Sequence, residues 1–553
     1  MLPLSKGKAI IHYLFFIILF NIILSEDAEI NYAISNDNIY DLNSFYIITK
    51  IQFGINHETP HYYLFGIFEG SNDTSFSDSL PLTMIKENDL SNTDSNTIII
   101  NTPNSYRYVR YIPYNINGSN ISPLTIYGHL FDATEDLSSK VNYHPTNLPL
   151  MIINTENSIE PDSKEVYINS RIIIINSDGE KILNASAGVR LRGHGTSRGA
   201  KKPYKIKFDS KSEIPGIDGK YKKWALLANY YDKSLIRNHL AFEVSRRIGF
   251  KYTPRCIFLD VIFNRNFRGN YYICDQVEVK KGRVEVTEMD KTDNEYPEIT
   301  GGYLLEFDQR VIGDEKLFFL TDKGLIGEIK YPDEDDITKE QINYIRQYMN
   351  NFEKYAYKGD FKYFDLDSFY NYFIMQEFCG DVDSVISSFH IYKERNDDKL
   401  HFGPVWDYDL AFDNDGRLFP TKDKDIFCYN FGSSAGSLRN FITKIINTKN
   451  IMKNINSTWI KLQEDKMKLN ELKKYVEDET EILMESANLN NLRWYESKVG
   501  NGINDYKNSV KIINNYLENR FDNLTYLINN YNYDAKIRNI NFAILFICLL
   551  FLV

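Results

Sequence analysis

The chain has 553 residues, of which 43% are hydrophobic and 14% aromatic, and its formal net charge is −11. A chain of this length exceeds one compact domain and has enough apolar residues to build two or three cores. The acidic balance argues against a nucleic-acid-binding protein, because no basic patch is large enough to neutralise many phosphates.

Residues 1–25 have the pattern of a signal peptide. Lys6 and Lys8 precede the apolar run from Tyr13 to Leu24, and two acidic residues follow Ser25. The run is short for a membrane-spanning helix, so a retained anchor is the less favoured alternative. Asn-X-Ser/Thr sequons are consistent with a glycoprotein of the secretory pathway, and they lie at Asn72, Asn117, Asn120, Asn184, Asn456 and Asn523.

Residues 26–145 predict a small β-rich domain. Short alternating runs occur at Tyr46–Phe53, Tyr62–Phe68, Thr97–Asn101 and Tyr106–Tyr111, with Asn, Ser, Gly and Pro between them. A period of two indicates half-buried strands, and several such strands separated by turns are typical of a β-sandwich.

The body of the protein is predicted over residues 146–435. In it, VRLRGHGTSRGAKKPYKIKFD has the pattern of two strands joined by a turn that contains glycines, with Lys205 and Lys207 on one face of the second strand. Such a turn can cover nucleotide phosphates with backbone N–H groups, and a nearby lysine adds positive charge. The segment lacks GxxxxGK[ST], so it is not a Walker A loop, and a plain basic hairpin is the alternative.

A helix is predicted to run to about Ile248, with Asp232 as its N-cap and Gly249 after its last turn. Glu243 lies off the apolar stripe of this helix. It could pair with a phosphate-binding lysine, as the helix-C Glu of protein kinases does, and a solvated surface Glu is the alternative.

Glu306 lies in GGYLLEFD, a run that is apolar on both faces. A buried carboxylate needs a partner, because an isolated charge is costly to remove from water. Glu306 is therefore either a site residue or one half of a structural salt bridge.

A first acidic block follows a second predicted helix. This helix spans Asp367, its predicted N-cap, to Phe378 and ends at Gly380, and Asp381 and Asp383 lie in the loop behind it. Acids between a helix and a strand are well placed to act on a bound substrate, although an ordinary polar loop has the same composition.

A second acidic block follows a short hairpin. Asp407 and Asp409 come after the strand-like run from Leu400 to Val405, and alternation along a strand would place both on one face. Mg²⁺ takes one or two carboxylates and completes its shell with water and phosphate oxygens. The alternative is a turn in which Asp409 caps a helix and Asp407 is solvated.

Residues 436–530 are predicted to be helical and to pack against the body. Apolar residues recur there at helical spacing, among them Leu462, Leu469, Leu472, Val476, Leu483 and Ala487. Residues 531–553 are a polar spacer and an apolar tail, which predicts membrane attachment by a GPI signal or a directly inserted tail. Full secretion is the alternative.

Taken together, these segments resemble the CotH kinase family, the spore-coat-protein-H-like atypical protein kinases, and its eukaryotic, fungal-type members in particular. The resemblance extends roughly over residues 146–530. The matching blocks follow the family order and are LPLMIINTEN, RLRGHGTS…KKPYKIKF, WALLANYYDKSLIRNHLAFEVSRRIG, NYYICDQVEV, GGYLLEFD, IKYPDED and the two acidic blocks. An ordered set of this kind is far more specific than any one motif.

The resemblance implies a kinase-like, two-lobed α+β fold, with residues 436–530 as its helical C-terminal part. It implies binding of ATP with Mg²⁺ or Mn²⁺, and phosphorylation of Ser or Thr in secreted or surface proteins. Asp383 matches the catalytic acid, with Asp381 as the next candidate, and Asp407 matches a metal ligand, with Asp409 and Ser388 as further candidates. The cofactor-binding candidates are Arg192, Gly193, Gly195, Lys205, Lys207, Glu243 and Glu306.

Two positions depart from the family pattern. Asp381 and Ser388 stand where family members often have Asn. A catalytically weak surface protein is therefore the alternative function, acting as an adhesin, a ligand or a wall-associated component. A carbohydrate, host or wall ligand is the partner expected for the N-terminal domain in that case.

Overall fold

The structure is a computed structural model that describes residues 27–34, 38–90, 95–118, 121–193, 195–309, 317–414, 427, 429, 436–495 and 502–531. The predicted signal peptide and apolar tail lie outside these residues. Within the described ranges, no helix is both long enough and apolar enough to cross a membrane.

The β-rich character of the N-terminal region is confirmed. Its described strands are β1 (Ala28–Glu29), β2 (Ala33–Ile34), β3 (Ile39–Phe53), β4 (Ile67–Ser71), β5 (Leu80–Met84), β6 (Asn96–Ile99), β7 (Tyr106–Ile112) and β8 (Leu124–Leu130). The long strand β3 pairs with β2, β6, β7 and β8, so that hydrogen bonds join all of them into one sheet. This sheet packs on the next region, where the rings of Phe65 and Phe267 stack at 5.6 Å.

Seven of the described strands then close into a barrel. They are β9 (Leu150–Thr155), β10 (Ile168–Ile175), β11 (Lys181–Leu191), β12 (Tyr204–Ile214), β13 (Ile217–Leu227), β14 (Cys256–Phe263) and β15 (Asn266–Asp275). The barrel closes where β9 pairs in parallel with β14. Alternation along β12 buries Tyr204, Ile206 and Phe208 in the barrel core and leaves Lys205 and Lys207 on the outer face.

A second, antiparallel sheet follows the barrel. Its described strands are β16 (Tyr303–Phe307), β17 (Phe318–Leu320), β18 (Ile326–Tyr331), β19 (Phe389–Lys393) and β20 (Leu400–Phe402). They lie in the order β17-β18-β16-β19-β20, which puts β16 in the centre. The predicted hairpin between the two acidic blocks is the pair β19–β20.

The described helices pack around this sheet and the barrel. They are α1 (Arg237–Ile248), α2 (Lys339–Ala356), α3 (Leu366–Cys379), α4 (Gly436–Ile446), α5 (Ile451–Asp465), α6 (Leu469–Trp494) and α7 (Gly502–Asn529). The helical character predicted for the C-terminal region is thus confirmed. Helix α7 supports α3, because Arg520 forms a buried ion pair of 2.8 Å with Glu377.

The predicted C-terminal ends of α1 and α3 are confirmed, whereas the two predicted N-caps are wrong. Gly249 and Gly380 end α1 and α3 in left-handed conformations, with φ of 100° and 65°. The N-cap of α1 is Ile236, not Asp232, although the Asp232 carboxylate accepts a hydrogen bond of 2.9 Å from the backbone N–H of Arg237, the first residue of α1. The prediction of Asp367 as the N-cap of α3 is wrong, because the Asp365 carboxylate accepts the capping bond from Ser368.

Candidate active site

Eight of the residues predicted from the sequence line one cavity of about 370 Å³. The cavity lies between the ends of barrel strands β11, β13 and β15 and the face of the second sheet. The predicted residues in its wall are Arg192, Gly193, Gly195, Glu306, Asp383, Ser388, Asp407 and Asp409.

One wall of the cavity is acidic. Asp383, Asp407 and Asp409 line it, and Asp381 lies buried behind them, with its carboxylate 3.1 Å from the backbone N–H of Asp383. Burial raises the pKa of Asp381 well above its ordinary value, and the charges of the other three acids raise it further. Burial and the neighbouring acids, Asp232 among them, do the same to the pKa of Asp409. This wall therefore favours a bound cation.

The geometry that brings Asp407 and Asp409 together differs from the predicted one. Strand β20 ends at Phe402, and both acids lie in the loop that follows it. Asp407 has a left-handed backbone with φ of 67°, and Ser388, before the hairpin, has φ of 59°. Such conformations are uncommon for residues other than glycine and persist where surrounding contacts hold them, often at functional sites.

The first turn of α1 holds the loop that carries these two acids. Arg237 and Asp232 form an ion pair in which each side chain is only 1% exposed. The Nε of Arg237 donates to the carbonyl of Ala411 at 3.0 Å. The side-chain oxygen of Asn238 accepts from the backbone N–H of Tyr408, between the two acids, at 2.7 Å. The loop is thus fixed from a helix about 170 residues earlier in the chain.

Lys330 is a cavity residue that the sequence reasoning did not select. Its Nζ lies 3.3 Å from Glu306 and 2.9 Å from Glu328, and Glu306 also accepts from the backbone N–H of Ser388 at 3.0 Å. Burial alone would raise the pKa of Glu306, but the charges of His390 and Lys330 hold it below its ordinary value. The signal was present in the matching block IKYPDED, in which Lys330 follows the buried Ile329 in the alternation of β18.

The glycine-containing turn after β11 borders the cavity on the barrel side. Arg192 places its guanidinium 5.3 Å from the centre of the Trp406 ring. Burial lowers the pKa of Arg192, and the charge of Asp407 opposes that shift. Gly193 has φ of 80°, a conformation that favours glycine, and a Cβ added at Gly195 would meet nothing within 4 Å. The turn therefore leaves room for a ligand to approach the backbone.

Three predicted cofactor-binding residues lie elsewhere. Lys205 and Lys207 are on the outer face of the barrel, because alternation along β12 turns their neighbours into its core. Glu243 pairs with Arg247 at 2.8 Å and with Arg246 at 3.1 Å, within its own helix. The lysine–glutamate pair of the cavity is formed instead between two strands of the second sheet, by Lys330 and Glu306.

The cavity fits a cation whose shell is shared with a ligand. In the described part of the chain, no three His, Cys, Asp or Glu side chains converge to hold a metal ion on their own. Mg²⁺ suits a site of this kind, since it takes one or two carboxylates together with water and phosphate oxygens. Gln276 Nε2 and His390 Nδ1 are buried in cavity-lining residues and have no hydrogen-bond partner among the described atoms.

Comparison with known proteins finds a family model that matches most of the body. Residues 189–524, more than half of the chain, match the family described as CotH kinase protein. No curated protein matches the chain. Among solved structures, CBM62 from Clostridium thermocellum Xyl5A is similar over 16% of this chain and 66% of its own, with 29% identity and a TM-score of 0.16. This chain thus covers just under two thirds of that structure, and at that TM-score the similarity supports no conclusion about fold or ligand.

Proposed function

This chain belongs to the CotH kinase family, and we propose that it is a fungal-type member that transfers the γ-phosphate of ATP to Ser or Thr of secreted or surface proteins. One observation carries the proposal: a single cavity has acids on one wall and the cations Arg192 and Lys330 on the others. Phosphoryl transfer needs this combination, because catalysis is mostly positioning and charge stabilisation.

The cavity lies between two structural units, which supports a two-lobed, kinase-like arrangement. The barrel supplies the glycine-containing turn, and the second sheet with its helices supplies the acids and Lys330. We propose that the glycine-containing turn of the barrel covers the phosphates of ATP. The acids beside the second sheet would accept the proton of the substrate hydroxyl. In protein kinases, the catalytic Asp is followed by a short hairpin and then by a metal-binding Asp. The hairpin β19–β20 lies between Asp383 and Asp407 in the same way.

The residues present fit ATP with a divalent cation. Asp407 and Asp409 would hold Mg²⁺ or Mn²⁺, with Ser388 beside them, and Arg192 and Lys330 would face the phosphates. When bound, the metal ion neutralises phosphate charge that the acidic wall would otherwise repel. The pair with Glu306 keeps Lys330 extended toward the cavity and charged.

Asp383 is the residue that we assign to the substrate hydroxyl. Asp383 lines the cavity, and its carboxylate would accept the hydroxyl proton as the hydroxyl oxygen bonds to the γ-phosphorus and the bond from that phosphorus to ADP breaks, so that ADP leaves. Asp381 is a positioning residue, because it accepts from the backbone N–H of Asp383 and has no place in the cavity wall.

The experiment is phosphate transfer from γ-labelled ATP by the purified protein, with Mg²⁺ or Mn²⁺. We expect label on Ser or Thr of the protein itself or of an added substrate. Asp407→Asn should abolish transfer, whereas Asp413→Asn should not. Asp413 is a matched control, since it lies exposed in the same loop outside the cavity wall and its φ of 61° suits Asn. ATP binding without any transfer, with either metal, would refute the kinase assignment.

We also propose that the protein passes through the secretory pathway, is glycosylated, and is held at a membrane by its apolar tail. Exposed sequon residues at Asn72, Asn117 and Asn184 support glycosylation. Asn523 is buried on α7 and is excluded as a glycan site in the folded chain. Deleting residues 542–553 should release the protein into the medium, as judged by cell fractionation. Intact protein found free in the medium would refute attachment.

A further inference from the structure

A second concavity, which we call the basic groove, lies beside the cavity. It has a volume of about 730 Å³ and is formed by the β12–β13 hairpin and the loop after β15. Seven basic and four acidic side chains line it. This local excess of positive charge stands out in a chain whose net charge is −11.

Four lysines of the basic groove are exposed and make no ion pair within the described ranges, namely Lys211, Lys220, Lys222 and Lys281. Other groove lysines have partners, since Lys280 lies 3.4 Å from Glu288 and Lys223 lies 3.7 Å from Asp333. The unpaired charges therefore add up around one concave surface, where they attract an anionic partner.

The floor of the basic groove is ordered by buried contacts. The ring of Tyr221 lies under two guanidinium groups, 4.1 Å from that of Arg283 and 5.6 Å from that of Arg255. Both arginines are held by Asp275 at 2.8 Å. Tyr221 and Arg255 line the groove, so an aromatic ring beside a fixed cation offers apolar contact as well as charge, which suits a polypeptide ligand.

Two chain segments connect the basic groove with the cavity. Residues 276–277 line the cavity, and the next residue, Glu278, lines the groove. Lys330 lines the cavity, and three residues later Asp333 pairs with the groove residue Lys223. The basic groove and the cavity are therefore neighbours along two segments of the chain.

We propose that the basic groove docks an acidic polypeptide segment next to the Ser or Thr that receives phosphate. This inference rests on the proposed function and specifies its substrate class. The interspersed acids Glu278, Glu285 and Glu288 disfavour nucleic acid, whose charge is continuous along its backbone. A concave surface also disfavours a flat membrane. A peptide can alternate acidic and neutral side chains to match the pattern.

The test measures binding without ATP, so that it does not depend on catalysis. A fluorescein-labelled peptide of Glu, Gly and one Ser is titrated with the full-length protein, and fluorescence anisotropy is read. A second peptide replaces each Glu by Lys. The groove variant combines Lys211→Glu, Lys220→Glu, Lys222→Glu and Lys281→Glu. The control variant makes the same charge change at exposed positions on α5 and α7, with Lys453→Glu, Lys461→Glu, Lys507→Glu and Lys511→Glu.

We expect the acidic peptide to bind more tightly than the lysine peptide, and the groove variant to weaken its binding about tenfold or more. The control variant should bind as the parent does. Equal binding of the two peptides, or unchanged binding by the groove variant, would overturn the proposal. So would binding of heparin or anionic vesicles through these lysines without binding of the peptide.

A kinetic measurement separates this inference from the proposed function. In phosphate transfer, the groove variant should raise the KM for the acidic peptide and leave kcat and the KM for ATP unchanged. Groove-dependent binding without any transfer would refute the kinase assignment alone. If the groove variant transfers phosphate with an unchanged KM for the acidic peptide, only the docking proposal is refuted.

Discussion

The pair formed by Lys330 and Glu306 is the strongest test of the cavity as a phosphate site. Lys330→Met removes the charge at similar length and leaves Glu306, whose side chain is 14% exposed, without its 3.3 Å partner. Exposed pairs contribute about 0.2–1 kcal/mol, and breaking a fully buried pair costs about 3–5 kcal/mol. The side chain of Lys330 is 34% exposed, so we expect an intermediate loss of about 1–3 kcal/mol in the free energy of unfolding.

The measurement is a double-mutant cycle by chemical denaturation. Glu306→Gln is the partner change, because its amide oxygen can still accept the backbone N–H of Ser388. We expect a coupling energy of about 1–2 kcal/mol between the two positions. In calorimetry with Mg²⁺ present, Lys330→Met should weaken ATP binding at least as much as Glu306→Gln does, since it removes the cation itself.

A surface pair on α6 provides the matched control. Lys474 and Asp478 lie 2.9 Å apart with side chains 72% and 56% exposed, so water screens their attraction and their coupling should be far smaller than that of the cavity pair. Two results would refute the reasoning: a cavity coupling no larger than this control, or ATP affinity unchanged in Lys330→Met.

Three further outcomes follow from single side chains. Asp383→Asn should keep ATP affinity but lower phosphate transfer by about 10²–10⁴-fold, and transfer at the parent rate would contradict its role. Arg237→Met should lower the free energy of unfolding by about 3–5 kcal/mol in denaturant, because Asp232 stays buried without its partner; a loss below about 1 kcal/mol would count against this. Burial raises the pKa of Asp260 from 3.8 to about 6, so its contribution to stability is complete below pH 3.8 and is lost as the pH rises through about 6. Asp260→Asn removes the titrating group, keeps an acceptor oxygen for one of the hydroxyls of Thr146 and Ser486, and presents its NH2 group to the other hydroxyl, which can accept. It should flatten that decline in thermal melts, and an unchanged decline would contradict the assignment.

Local chemistry in the sequence determined the elements and the order of the site residues. The alternation that puts Lys205 and Lys207 on one face of β12 follows from the period of a strand. The glycines that end α1 and α3 follow from the left-handed conformation that a helix end often needs. Order along the chain was also enough to place Asp383 before the hairpin and Asp407 after it.

Tertiary structure alone decided which of these residues meet. Strand β18 pairs with β16 in a register that sets Glu306 beside Glu328, and this brings Lys330 to Glu306. The period of a strand tells which side chains share a face but not which strand lies next to it, so Glu243 was an equally good candidate. The loop with Asp407 likewise depends on hydrogen bonds to α1, about 170 residues away. Contacts between residues so far apart in the sequence form only when the barrel and the sheet pack against each other. Local sequence patterns do not predict that packing.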